Sequence, residues 1–261
     1  MTHLQPITLT HHRDRRWRRY TDYRFAAADT LAPLGVQELS KAVMSLPIGF
    51  IPEADQYKLV AIQGLQPGLN LFVTADGRWL GGYIPAHYRA NPFSLAKTTE
   101  GQQVLCIDED SDLLIDDPAP DDGEPFFDTD GQPAEPVRPV LSFLEKLATD
   151  RQRTERLCAL LAEHGLIQPW PLTHKTRDGE HPIQGLYRID EAALNTLPAA
   201  AFETLRQAGA LPLIYCQLLS MQHIAVLGKL AEHQAQAQTK PALDANDVFG
   251  AEDTLSFDWD S

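Results

Sequence analysis

PIGFIPEADQYKLVAIQGLQPGLNLFVTADGRWLGGYI, residues 47–84, decides the fold class. Strand signals follow one another at 47–51, 57–64, 70–74 and 78–84, each rich in β-branched or aromatic residues and bounded by Gly, Pro, Asp or Asn. Asp76-Gly77 sits between two aromatic-rich runs and predicts a hairpin pairing 70–74 with 78–84, because glycine accepts the positive φ that such turns require. FSLAKT (93–98) and QQVLCID (102–108) continue the β-rich region. Upstream, residues 1–30 read as an extended arm and strand. Residues 36–46 read as a short helix that stops before Pro47, since the residue before proline avoids helical geometry.

Downstream of 108 the composition changes. Residues 109–139 hold many acids and prolines and read as a loop or linker. Its 109–135 stretch is expected to be mostly irregular and exposed, with Phe126 or Phe127 as the only well-buried anchor. Helix resumes over 140–164, where Leu141, Leu144, Leu147, Leu157, Leu160 and Leu161 form an apolar stripe that ends at Gly165. Residues 165–173 and 183–190 are strand-like, 192–197 and 199–208 are short helices, and 213–238 is a long one. These elements predict an α+β fold: a largely antiparallel sheet with hairpins, packed by a few helices including a long C-terminal one. The chain divides into a β-rich half (1–108), the acidic Pro-rich linker (109–139), a mixed half packed on the first (140–243) and an acidic aromatic tail (244–261), together one compact domain. Phe257 and Trp259 are expected to dock that tail onto the protein or a partner, because solvating tails are poor in large aromatics.

Charge narrows the functional classes. The chain carries 36 acids against 22 basic residues. Twelve of the acids lie between Asp108 and Glu135 and six more after residue 243, so the remainder is close to neutral. Strong nucleic-acid binding needs a concentrated basic face, and none is expected. The arm RDRRWRRY (13–20) either contacts phosphates, with Trp17 and Tyr20 as stacking groups, or pairs with the chain's own acidic segments; the surplus of acid favours the second. Cys106, Cys158 and Cys216 are widely spaced in apolar stretches, which predicts buried thiols and a cytoplasmic location. The most apolar window, 208–228, is interrupted by Gln217, Ser220, Gln222 and His223, so a packed helix is expected and no membrane insertion.

Motifs for known chemistries are missing. Neither GxxxxGK[ST] nor GxGxxG after a strand occurs, and neither GxSxG nor HExxH. Asp108, Asp110 and Asp112 match the first ligand positions of an EF-hand, but Leu113 and Ala119 stand where glycine and glutamate belong. His174 and His181, with Asp178 and Glu180, form the best local cluster of possible ligands, short of the three or four converging groups that a metal needs. No metal and no cofactor are expected.

One long segment carries a resemblance. Asn70-Leu71-Phe72, Asp76-Gly77, Trp79, Tyr83-Ile84-Pro85-Ala86, Arg89 and Pro92-Phe93 resemble the signature of the SapC family of bacterial proteins. Further matches run through Tyr23-Arg24-Phe25-Ala26, Phe127-Asp128 with Gly131, Gly165-Leu166-Ile167, Gly185-Leu186-Tyr187-Arg188 and Phe257-Asp258-Trp259. Asn91 departs from the pattern, which has an aromatic before the Pro-Phe pair. The resemblance implies a link to a surface-layer locus and no settled catalytic residues. Two functions follow as expectations. In one, the chain is an accessory protein that binds a peptide or protein partner through Tyr83, His87, Tyr88, Arg89 and Phe93, residue types enriched in recognition surfaces. In the other it is an enzyme, peptidase-like or acting on a small molecule, with a site assembled from His87, Arg89, Tyr187 and Arg188. Oligomeric state is not legible in the sequence.

Overall fold

The computed structural model describes residues 3–98, 100–119, 122–176 and 179–239, with backbone alone at 174–176 and 235–239. It is an α+β fold with antiparallel sheets. The largest has five strands in the order Ile167–Pro169, Tyr187–Ile189, Ile48–Glu53, Gln56–Ile62 and Leu31–Pro33. Its centre is the hairpin Ile48–Glu53/Gln56–Ile62, in which Ile48 opposes Ala61 and Phe50 opposes Leu59. Ala54 at its turn takes φ +52°, a left-handed conformation filled here without glycine. A strand from late in the chain joins this hairpin through Tyr187 opposite Phe50. Where that ladder ends, Gln217 closes the gap: its Oε1 accepts from Ile189 N at 2.9 Å and its Nε2 donates to Ile48 O at 3.1 Å. The buried amide thus satisfies groups on two strands.

A second sheet has the order Leu4–Pro6, Gln103–Asp108, Phe93–Lys97. A third is formed by the basic arm: Arg16–Trp17 lies between Leu114–Ile115 and Glu124–Pro125. The acidic stretch is therefore not a solvated linker. Phe126 is fully buried as expected, in edge contact with His12 and Phe93, but Ala134 is buried with it. Arg15 bridges Glu109 (2.8 Å) and Asp116 (2.5 Å), Arg18 meets Asp122, and Arg19 meets Glu124 (2.9 Å). Charge pairing between arm and acidic segment, as read from the sequence, is what the chain does with both.

One helix spans the molecule. Val137–Glu163 starts three residues before the predicted onset and ends one residue before the predicted end, with His164 as its cap. Its first half packs Val137, Phe143, Leu144 and Leu147 on a cluster with Trp17, Phe93, Ile107 and Phe126. Its second half packs Leu157, Cys158 and Leu161 on the larger core around Phe50, Leu59 and Phe72. Between the two, Asp150 caps the short helical segment after Gly35 by accepting from Gln37 N at 3.2 Å, and Thr154 accepts from Val36 N at 3.0 Å. A Cβ at Gly35 would lie 1.9 Å from Asp150 Oδ2, so only glycine lets this carboxylate reach the helix start.

Three expectations are corrected. Residues 70–84 pair antiparallel across Asp76-Gly77 over a shorter stretch than expected: Val73 bridges Trp79, flanked by Thr74 N donating to Arg78 O at 2.9 Å and Leu80 N to Phe72 O at 2.8 Å. The Asn70 side chain accepts from Phe72 N and donates to Ala26 O, drawing the backbone away from a ladder. Trp79 then folds over Phe72, donating Nε1–H to Tyr83 O at 3.0 Å. The C-terminal helix begins at Leu211 and is interrupted by a 3-10 turn at Met221–His223, where the His223 ring meets Val43 O at 2.9 Å. Leu211–Gln234 is long and apolar enough to cross a membrane by length and composition alone, yet Leu213, Ile214, Gln217 and Ser220 pack into the sheet. In the arm, Leu9–His12 is a helical turn rather than extended chain. The tail, 244–261, lies outside the described residues.

Candidate functional site

The long helix spans two cores, and the space between the two sheets beneath it is a groove. Its larger part has a volume of about 360 Å³ and is lined by all five residues of Phe93–Lys97, by His87 and by Leu144, Leu147, Ala148, Arg151 and Glu155 of the helix. Among the described residues, Phe93–Lys97 pairs only with Gln103–Asp108, and of that neighbour only Gln103 reaches the groove. The groove therefore runs along the unpaired edge of the strand, where backbone N–H and C=O groups lack partners in the sheet. A narrower extension of about 60 Å³ runs along Gln56–Leu59, past the point where Leu31–Pro33 stops pairing with that strand. His87, Leu147, Arg151 and Glu155 line both parts and join them.

Its polar groups are unevenly matched. Lys58 is paired with Glu53 at 2.6 Å. Among the described residues, Lys97 and Arg151 have no ion-pair partner, and Glu155 is the carboxylate left to oppose them. Ser94 Oγ is buried and makes no hydrogen bond among the described residues. His87 stands on the 3-10 turn Ala86–Ala90, its ring reachable by solvent yet crowded by the groove walls. That crowding strips hydration and, with the positive charges of Arg151 and Lys58, lowers its pKa below the ordinary 6.5. At neutral pH it is a neutral imidazole able to donate and accept a hydrogen bond. Cys158 also lines the narrow part, but burial, with Glu155 nearby, pushes its thiol up to about 12, so it is not a thiolate nucleophile.

A buried carboxylate places His87. Glu38 Oε2 accepts from the Tyr83 hydroxyl and from Ala86 N, both at 2.8 Å, and Oε1 accepts from Gly35 N at 2.9 Å. The Tyr83-Ile84-Pro85-Ala86 segment is thereby fastened to the helix start that Asp150 caps, and His87 follows directly. Burial, then the Glu38 charge, raises the Tyr83 pKa well above its ordinary value. Glu38 has no sequence motif that marks it. Its spacing from Gly35 was the one available signal.

The other predicted site residues fall into three places. Tyr83, Tyr88 and Phe93 are buried, Phe93 with its backbone on the groove edge. The Tyr88 hydroxyl donates to Gln63 Oε1 at 2.7 Å, and burial, then Asp29, pushes its pKa up. Arg89 is exposed, stacks over Tyr83 at 5.2 Å and donates to Ile84 O. Tyr187 packs edge-on against Tyr57, and Arg188 is half-buried beside it on the strand Tyr187–Ile189, its Nε unpaired. Of the predicted set, His87 and Phe93 line the groove; Arg89, Tyr187 and Arg188 line neither part of it.

Three of the segments that carry the family resemblance, those containing Tyr23 and Phe25, Phe72 and Trp79, and Tyr88, meet in one aromatic cluster. Tyr23, Phe25, Trp79 and Tyr88 form a chain of ring contacts with centroids 5.7–6.1 Å apart, and Trp79 stacks on Phe72. At those separations the rings touch one another and leave no room for a cation between them, so the cluster is packing rather than an aromatic cage. A family model described as SapC matches residues 7–227. The chain belongs to the SapC family. No curated protein and no solved structure matches it. The match includes every residue that lines the groove and the whole of the helix above it, so the groove is built from the part of the chain that makes it a SapC protein.

Proposed function

We propose that this SapC protein is a cytoplasmic accessory binding protein that holds an extended, acidic peptide segment of a protein partner in the groove beside the long helix. The observation that carries this reading is the unpaired edge of Phe93–Lys97 lying along a cavity whose opposite wall is a helix. An extended peptide can add a strand to such an edge, with main-chain hydrogen bonds for affinity and side-chain pockets for specificity. Leu144, Leu147 and Ala148 offer an apolar wall to every second residue. Lys97 and Arg151, against the single carboxylate Glu155, favour an acidic partner. Ser94 Oγ and His87 provide hydrogen-bonding groups that the fold itself does not use.

The test is fluorescence anisotropy with a labelled eight-residue peptide of alternating aromatic and acidic residues, titrated with the full-length protein. N-methylation of the amides on one peptide edge should abolish binding, while methylation on the other edge should leave it intact. Lys97→Glu/Arg151→Glu should weaken binding at least about 10-fold through charge reversal. His87 should report occupancy by NMR, its pKa rising as a carboxylate enters. Equal effects of methylation at either edge, or unchanged binding by the charge-reversed protein, would overturn the proposal.

A further inference from the structure

The chain carries, outside its described residues, a segment whose pattern fits this groove. Residues 255–260 read Leu-Ser-Phe-Asp-Trp-Asp. Apolar and polar residues alternate strictly, so in an extended conformation Leu255, Phe257 and Trp259 share one face and Ser256, Asp258 and Asp260 the other. From residue 244 onward there are six acids and no Lys or Arg. A strand-like segment with an aromatic face and an acidic face is the chemistry that an edge strand between Leu144, Leu147 and two unpaired cations would select.

We infer that residues 255–260 of this same chain add as a strand to the free edge of Phe93–Lys97, their aromatic face against Leu144 and Leu147, with Lys97 and Arg151 attracting the acidic tail as a whole to the groove. This rests on the groove being a strand-addition site, and it makes the tail the occupant that a partner has to displace. Length allows it. The C-terminal helix stays on the body as far as Gln234, whose Nε2 reaches Leu71 O at 3.5 Å. The stretch from Thr239 to Leu255 extends to about 50 Å. A chain of this size has a radius of gyration of about 18 Å, so that reach, followed around the body, covers most of its surface. Tethering also gives the tail a high effective concentration at the groove, on the order of millimolar, which favours it over a free peptide of the same affinity. The competing acceptor is an exposed apolar stripe on the C-terminal helix, Tyr215, Leu219 and Val226, which has no unpaired strand edge and so uses none of the tail's alternation.

The experiment compares the full-length protein with full-length Phe257→Ser/Trp259→Ser, which keeps chain length and charge. Hydrogen exchange is followed at Phe93–Lys97, and anisotropy with the same eight-residue alternating peptide. The outward amides of Phe93–Lys97 should exchange at least about 10-fold faster in the variant, and the variant should bind the peptide at least about 10-fold more tightly. Identical exchange and identical, edge-selective peptide binding in both proteins would overturn the tail assignment while leaving the groove reading standing. No peptide binding by the variant would remove the groove reading itself. Protection that moves to Tyr215–Val226, or that depends on protein concentration, would place the tail on the helical stripe or on a second copy, and either result overturns the inference.

Discussion

Replacing Glu38 tests how the site is held. Its carboxylate is 7% exposed and accepts three hydrogen bonds, from Gly35 N, the Tyr83 hydroxyl and Ala86 N. Glu38→Ala leaves three buried donors without an acceptor. Hydrogen bonds to a charged group contribute roughly 1.5–3 kcal/mol each, and an orphaned buried donor costs about 1–3 kcal/mol. Residues 83–86 can shift and let water in, so the three losses do not sum fully; about 3–5 kcal/mol is expected. At roughly 2–4 °C per kcal/mol for a domain of this size, the melting temperature should drop by about 6–20 °C. Glu38→Gln keeps one acceptor and turns an NH2 group toward a donor, so it should fall between wild type and Glu38→Ala. Tyr83→Phe removes one of the three bonds alone. In a double-mutant cycle measured by urea denaturation, Glu38→Ala and Tyr83→Phe should show a coupling of about 1–2 kcal/mol, because both act on the same bond. His87 follows Ala86 directly, so Glu38→Ala should also shift its imidazole resonances. Additivity within about 0.5 kcal/mol, or melting within about 2 °C of wild type, would refute the reasoning.

Three further outcomes follow from the geometry. Gly77 has φ +83°, and a Cβ there would lie 2.7 Å from Asp22 Cβ, so Gly77→Val should cost roughly 2 kcal/mol or more; an unchanged melting temperature would count against the turn. Phe126→Ala removes the fully buried ring of the acidic segment, at a cost of about 3–5 kcal/mol, and should speed proteolysis within 109–135 on the order of 100-fold, whereas unaltered cleavage would mean that the segment is not docked through this ring. His12 is buried, and burial, helped by the positive charge of Arg15, lowers its pKa below 6.5 despite the opposing pull of Glu109 at 3.0 Å. The unfolded chain therefore takes up a proton that the folded one resists, so stability is full above about pH 6.5 and falls as pH drops through the window beneath it. The urea midpoint should thus decline more between pH 7.5 and 5.5 for wild type than for His12→Gln, and equal declines would contradict this.

The strand and helix inventory was largely legible because it is local. The runs at 47–51 and 57–64 and the leucine stripe of 140–164 carry their periods in the chain, and the central hairpin and the long helix appear where those periods place them. The strands of 70–84 were read as longer than they are for the same reason. The Asp-Gly turn is real, with Gly77 left-handed, but Asn70 finds its partner at Ala26, a contact that no local pattern announces. The pairing of arm and acidic segment was foreseeable from charge alone, since opposite blocks in one chain neutralise each other. That the acidic stretch would enter a sheet was not, because backbone pairing leaves no mark in composition.

The residue types of a binding surface were visible in Tyr83–Phe93, but sequence gives no sign of direction. Tertiary structure turned Tyr83, Tyr88 and Phe93 into the core, set Arg89 on the surface and left His87 facing the groove. The groove itself belongs to no segment. It exists because one helix packs on two cores at once, and Phe93–Lys97 has, among the described residues, a neighbour on one side only. Periodicity and charge are properties of neighbours in the chain and are decided by sequence; a cavity and a free strand edge are properties of neighbours in space, and only the folded arrangement decides them.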